Sequence, residues 1–163
     1  MEVSSREPDW AREKKQVFSW SPSRSLLASI RCYQSAERKC AILRGMIKLS
    51  CVLKHRFWSV VTGADIPLNC TIGGGLLLPH PNGVVIHPEA IIGPNCLIFQ
   101  QVTIGSVEGS RAPIIGGHVD IGAGAKILGT VNLGDNVLIG ANSVVLNDIK
   151  DDVTVVGIPA KET

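Results

Sequence analysis

IGGHVDIGAGAKILGTVNLGDNVLIGANSVV, residues 115–145, places an aliphatic residue at every sixth position: Ile115, Ile121, Ile127, Leu133, Ile139 and Val145. The same beat runs through Ile86, Ile92, Ile98 and Ile104, and in a shorter first run through Ile66, Ile72 and Leu78. Two positions before nearly every one of these sits a small or β-branched residue: Cys70, Val84, Ala90, Cys96, Val102, Val119, Ala125, Val131, Val137, Ser143. Glycine often follows, as in Ile72-Gly73, Ile92-Gly93, Ile121-Gly122 and Ile139-Gly140. A fixed period of this kind marks a repeat architecture.

Six alone does not choose between a helix and a strand. The pattern inside each unit does. A small residue at i−2 and an aliphatic residue at i point to the same side of an extended segment. The glycine and polar residues that follow turn a corner. Three such sides make a triangular coil of about eighteen residues, and stacked coils pair strand on strand at about 4.8 Å. Each coil buries its aliphatic residues on those of the next, so the core is a narrow column. The expected fold is mainly β: a left-handed parallel β-helix of hexapeptide repeats over residues 63–163. Residues 1–62 form an N-terminal arm and amphipathic helices.

The rhythm breaks twice. Leu78 to Ile86 is eight steps rather than six, with Pro79-His80-Pro81-Asn82-Gly83 in the gap. Ile104 to Ile115 is eleven steps, filled by Gly105-Ser106-Val107-Glu108-Gly109-Ser110-Arg111-Ala112-Pro113. The faces of a regular coil are flat, so extra residues leave the prism as loops. Loops held by a rigid scaffold are where binding and catalytic residues concentrate.

The chain is 45% hydrophobic, enough for a core, and has no run of eighteen apolar residues to span a bilayer. The first residues lack the apolar segment of a secretory signal. Its five cysteines show no metal-ligand spacing and two occupy inward small-residue slots, which predicts reduced thiols in a cytoplasmic protein and no metal. The net charge of +2 hides an asymmetry: residues 1–62 hold twelve Lys/Arg against five Asp/Glu, and residues 63–163 four against nine.

In the basic part Leu26, Leu27, Ile30, Tyr33, Cys40, Ile42, Leu43, Met46, Ile47, Val52 and Leu53 recur near helical spacing, with Pro22 beside Ser21 and Ser23 as a helix start. This predicts a solvated basic face beside a packed apolar one. Contact with a membrane surface is the second reading. Nucleic acid is not an expected partner, because the arginines are not interleaved with aromatic stacking platforms. Residues 1–20, with Trp10, Phe18 and Trp20, form a tail or an arm packing on a neighbour.

Several stretches together resemble serine O-acetyltransferase, the hexapeptide-repeat branch of the acetyl-CoA-dependent transferases. They are Ala64-Asp65-Ile66, Pro79-His80, Gly83-Val84-Val85-Ile86, Gln101-Val102-Thr103-Ile104-Gly105, Ile121-Gly122-Ala123-Gly124-Ala125-Lys126-Ile127-Leu128-Gly129 and Gly157-Ile158-Pro159-Ala160-Lys161. The short N-terminal region is closer to the small acetyltransferases found among capsule and exopolysaccharide genes. The resemblance implies a homotrimer, with pairing of two trimers left open, and active sites in the clefts between neighbouring β-helices. Acetyl-CoA is the implied acyl donor. Its pantetheine arm meets backbone around Gly105, Ala123 and Ala141, and Lys126 and Lys161 are candidates for its phosphates.

Acetyl transfer to a hydroxyl needs a general base. His80 matches the family's catalytic histidine, and Asp65 its acidic partner, which fixes the tautomer of the ring. Two positions depart from the family. Serine acetyltransferases carry Asp before the catalytic His, where this chain has Pro79. They carry His after the arginine of the second loop, where this chain has Ala112. Neither replacement can pair with a charged group. Arg111 remains to bind a carboxylate or polarise an acceptor oxygen.

The favoured acceptor is therefore a sugar or polysaccharide precursor, with Asn82, Gln100, Gln101 and Ser106 supplying neutral hydrogen bonds and Asp9 or Glu7 able to replace one lost charge. The alternatives are serine, as in cysteine biosynthesis, and a non-catalytic hexapeptide scaffold. A zinc hydrase would need His80, His87 and His118 to converge, and their spacing does not match.

Overall fold

The computed structural model describes residues 3–15 and 19–163. Phe18 lies outside the described residues. Helix α1 (Pro22–Ser35) starts at its proline, with Ser21 at the N-cap, and α2 (Ala41–Thr62) ends on the left-handed Gly63. Proline at the first helical position fixes φ where the N–H would lack a partner anyway.

A left-handed parallel β-helix follows, with three faces. The first stacks β2 (Val85–Ile86), β5 (Thr103–Gly105), β8 (Lys126–Leu128) and β11 (Val144–Val145), and Asp65 pairs in parallel with Val85 ahead of them. The second stacks β1 (Thr71–Ile72), β3 (Ile91–Ile92), β6 (Ile114–Ile115) and β9 (Asn132–Leu133). The third stacks β4 (Leu97–Ile98), β7 (Asp120–Ile121), β10 (Leu138–Ile139) and β12 (Thr154–Val156), closed by β13 (Lys161–Glu162), which returns antiparallel.

The register puts Ile86, Ile104, Ile127 and Val145 in one column, and Ile98, Ile121, Ile139 and Val155 in another. These residues are all buried, as are the small residues two places before them except Val153, which is partly buried. Two of the three corners use a left-handed residue in every coil. One column is Gly63, Gly83, Gln101, Gly124 and Asn142; the other is Gly75, Asn95, His118, Asn136 and Asp152. Asn and Asp tolerate this backbone better than most residues with a side chain.

The helices cap the open end of the column. Leu26, Leu27 and Ile30 of α1 belong to the same buried cluster as the coils. On α2 the expectation of a packed apolar face is overturned. Its contact side is Cys51, Trp58, Thr62 and His55, whose Nε2 meets the Ile66 carbonyl at 2.8 Å. The apolar stripe Ile42, Met46, Leu49, Leu53, Phe57 and Val60 faces away and is exposed, Ile42 at 82% and Val60 at 84%. The reason is geometric: α1 already covers the end of the narrow column, so α2 touches the body along one edge only. Among the described residues no helix is long and apolar enough to cross a membrane.

The N-terminal arm packs on its own β-helix, along the corner between the second and third faces. The carboxamide of Asn95, fully buried, accepts the Asp9 N–H (2.8 Å) and donates to the Ser4 and Glu7 carbonyls (2.7 Å each). Arg12 donates to the Asn95 carbonyl. Glu13 accepts the N–H groups of Gly75 (2.8 Å) and Leu76 (3.2 Å) and pairs with Arg31, which donates onward to the carbonyls of Ile72 and Gly73. Trp10 lies on Gly74, where a Cβ would come within 2.6 Å of the ring.

Asn95→Ala should therefore do more than remove one amide. It strips the Asp9 N–H and the Ser4 and Glu7 carbonyls of their partner and puts alanine in a left-handed backbone, for a loss of about 2 kcal/mol. Limited proteolysis should then cut the arm before residue 14, while wild type resists. Asn95→Gly removes the backbone strain but not the lost hydrogen bonds, and should release the arm as well.

Candidate active site

The 79–83 insertion leaves the prism at the corner between the third and first faces. It folds back over the end of α2: Gly83 donates to the Gly63 carbonyl (2.8 Å), and Gln101 of the next coil donates to the Asn82 carbonyl (2.9 Å). The Asn82 amide lies over Gly63, where a Cβ would be 2.7 Å from Nδ2. His80 is held out in solvent on this loop. With Pro79, Pro81 and Asn82 it forms one wall of a cleft of about 360 Å³; the other wall is Pro22 and Ser23 of α1 and Val61 and Thr62 of α2.

Asp65 follows Gly63 at this corner, one coil before the His80 loop. Its backbone is fixed by bonds from its N–H to the Val84 carbonyl (2.8 Å) and from the Ile86 N–H to its own carbonyl (2.9 Å). Its carboxylate is exposed on the first face and makes no hydrogen bond to His80. It is near enough to Cys70 to add to the burial that pushes that thiol up to about 11.

The other predicted site residues divide between corners. Ala123, Ala141, Asn82 and His80 share the third-to-first corner, and Ala141 also lines an apolar groove of about 270 Å³ with Leu97, Phe99 and Leu138. Lys126 opens β8 beside that corner, with its ammonium on the Gln101 carbonyl at 2.5 Å. Gly105 and Arg111 lie at the first-to-second corner. The 105–113 loop there is closed by Ser110, whose hydroxyl accepts the Val107 N–H (2.9 Å), and Arg111 is anchored through its N–H to Thr130 Oγ1 (2.9 Å). The guanidinium of Arg111 has no partner among the described residues. Lys161, on β13, is exposed past the last coil.

Gly105 differs from most glycines of the coils. A Cβ there would meet only two methyl groups at ordinary distance, 3.6 and 3.7 Å, so the chain's own packing does not require glycine. Its bareness leaves backbone open to something approaching from outside. Three residues weighed for the acceptor are accounted for otherwise. Asp9 caps the 3-10 turn Trp10–Glu13, and its N–H, like the Glu7 carbonyl, is tied to Asn95 at the far corner. Ala112 is in the core, 7% exposed, so a histidine restored there would displace packing rather than face a ligand.

His80, His87 and His118 sit at three different corners. The Nδ1 of His87 accepts the Glu89 N–H (3.2 Å), and His118 faces Asn136 (3.0 Å). Among the described residues no cluster of three or more His, Cys, Asp or Glu gathers as a metal site. Sequence reading did not single out the α1 start and α2 end as cleft walls. The one signal was that α2 must end just before Asp65.

No family model matches the chain. Serine acetyltransferase from Helicobacter pylori strain J99 is 38% identical over 159 residues, covering 93% of this chain and 86% of that protein. The Synechococcus elongatus serine acetyltransferase is 47% identical over 105 residues, covering 63% of this chain but 43% of its own length. Among solved structures, serine acetyltransferase in complex with CoA superposes with a TM-score of 0.73 at 31% identity, over 88% of this chain and 58% of that one. The Neisseria gonorrhoeae serine acetyltransferase in complex with serine superposes with a TM-score of 0.69 at 35% identity, over 87% and 55%. The chain thus spans less than half of some relatives and most of the Helicobacter protein. With that near full-length match and the shared β-helix, it belongs to the hexapeptide-repeat serine acetyltransferase family.

Proposed function

We propose that this protein transfers the acetyl group of acetyl-CoA to the hydroxyl of serine, with His80 as general base. The observation that carries the chemistry is His80 itself, exposed on a loop held by backbone bonds at Asn82 and Gly83 and facing a cleft large enough for a small acceptor. An imidazole there can take the hydroxyl proton as the oxygen attacks the thioester. Serine replaces the sugar favoured on sequence grounds, because the relatives that match are serine acetyltransferases and one solved relative holds serine.

A neutral hydroxyl acceptor is the second reading, favoured by one feature. Apart from His80, the side chains named around the cleft are uncharged, with Pro79 at the turn. A screen following CoA release, with L-serine beside free and nucleotide sugars, separates the two. Turnover of serine alone supports the first reading; turnover of a sugar with serine inert moves the acceptor to the second.

The split between corners bears on assembly. A side of six residues spans about 20 Å, so His80 and Arg111 of one chain cannot grip one small acceptor. We propose that a cleft between copies in a trimer joins the His80 corner of one to the Arg111 corner of the next. The uncovered apolar stripe of α2 is the surface through which two trimers would pair. Mixing His80→Ala with Arg111→Ala subunits, each nearly inactive alone, should restore a measurable part of the activity. If sites lie within one chain, the mixture stays as inactive as its components.

A further inference from the structure

Two thiols outside the transferase cleft face each other. Cys32 is on α1 and exposed, and Cys51 is on α2 and 1% exposed. The helices pack side by side, and both cysteines line one cavity of about 310 Å³ with Leu43, Met46, Ile47, Ser50 and Lys54. Cys32 is a near neighbour of the Cys51 thiol across the two helices. We propose that Cys32 and Cys51 are a redox couple that closes to an intrachain disulfide between α1 and α2 when the protein meets a disulfide oxidant.

The contact suits disulfide formation, which needs sulfurs that can meet without moving the backbone far. The chemistry assigns the order of attack. Cys32 is the thiol that solvent reaches. As a thiolate it attacks one sulfur of oxidised glutathione, forming a mixed disulfide and releasing one glutathione thiolate. Burial first, then the neighbouring Cys32, holds the Cys51 thiol up to about 11, which makes it the resolving group. The neighbouring Lys54 ammonium favours its thiolate.

Cys51 then attacks the Cys32 sulfur, its proton passes to solvent, and the second glutathione leaves. Two thiols give up two protons and two electrons, and one oxidised glutathione becomes two reduced ones. The other cysteines lack this arrangement. Cys70 and Cys96 are inside the coil column, with sulfurs on the carbonyls of His87 (3.7 Å) and Gly116 (3.3 Å). Cys40 is an exposed thiol at the N-cap of α2.

The link has a mechanical consequence. The start of α1 and the end of α2 together make one wall of the His80 cleft. A covalent tie between the helices fixes that wall, and it also closes a chain loop in the unfolded state, which typically stabilises a protein.

The test uses the full chain incubated with oxidised glutathione, alkylated and mapped by peptide mass spectrometry. The expected result is a Cys32–Cys51 link within one chain, a melting point raised by roughly 5 °C or more, and reversal by dithiothreitol. Cys51→Ala should stop at a glutathione adduct on Cys32, and Cys32→Ser should form no link. If Cys51→Ala fails to fold, the wild-type map decides alone, with Cys40 as internal control carrying an adduct but no link to Cys51. A persistent Cys32 adduct beside a free Cys51 thiol in wild type, or a link between two copies, overturns the proposal.

Discussion

His80→Ala should lower turnover by about 10²–10⁴ while leaving fold and assembly unchanged, because a positioned base is typically worth that much. The structure explains why folding should survive. His80 is exposed and its ring makes no hydrogen bond, while the loop is held by backbone contacts from Gly83 and to Asn82. Asp65→Asn is the companion measurement. If Asp65 sets the imidazole when substrates close the cleft, turnover falls while the Michaelis constant for acetyl-CoA barely moves. Catalytic hydrogen bonds are often unmade before substrate binds, so their absence in the free protein is compatible with that role. A His80→Ala protein retaining about a third or more of wild-type turnover would take His80 out of the mechanism.

The core was legible because one rule, repeated, generates it. An inward residue every six positions with a small one two places earlier leaves a single way to close the coil, and every such residue is buried. Both site loops were legible as interruptions of that rule. Their positions around the prism were legible too: Leu78 is the third aliphatic residue of its coil and Ile104 the first of its own, so the two insertions must leave from different corners. Within one chain, that phase keeps His80 and Arg111 apart.

The arm could not be read this way. Its anchor is not periodic: Asn95 works through a left-handed backbone and a buried carboxamide, and nothing in Ser4, Glu7 or Asp9 announces a corner 86 to 91 residues away. On α2, periodicity shows that one side is apolar but not which side packs. That depends on α1 having already capped the column.

Gly93→Ala should be among the most damaging single methyl groups that can be added to this chain. Gly73, Gly93, Gly116 and Gly134 stack at the start of the corner between the second and third faces. At Gly93 a Cβ would lie 2.4 Å from both the carbonyl carbon and oxygen of Gly116 and 2.6 Å from the Gly117 nitrogen. All three are backbone atoms in the next coil, so no side chain can rotate away. Relief requires pushing two coils apart, against the Gly93 N–H to Ile115 carbonyl bond of 2.8 Å and the packing of Ile92 on Ile115 in register.

The loss should exceed the usual 1–3 kcal/mol of overpacking, at about 4 kcal/mol, and lower the melting point by roughly 8–16 °C for a chain of this size. Gly45→Ala is the matched control. It adds the same methyl in the second turn of α2, where nothing lies within 4 Å, and should stabilise by about 1 kcal/mol through helix propensity alone. Equal, small effects at both positions would mean that the coils are spaced more loosely than this stack of glycines requires, and that glycine after the aliphatic position serves the turn rather than the close approach.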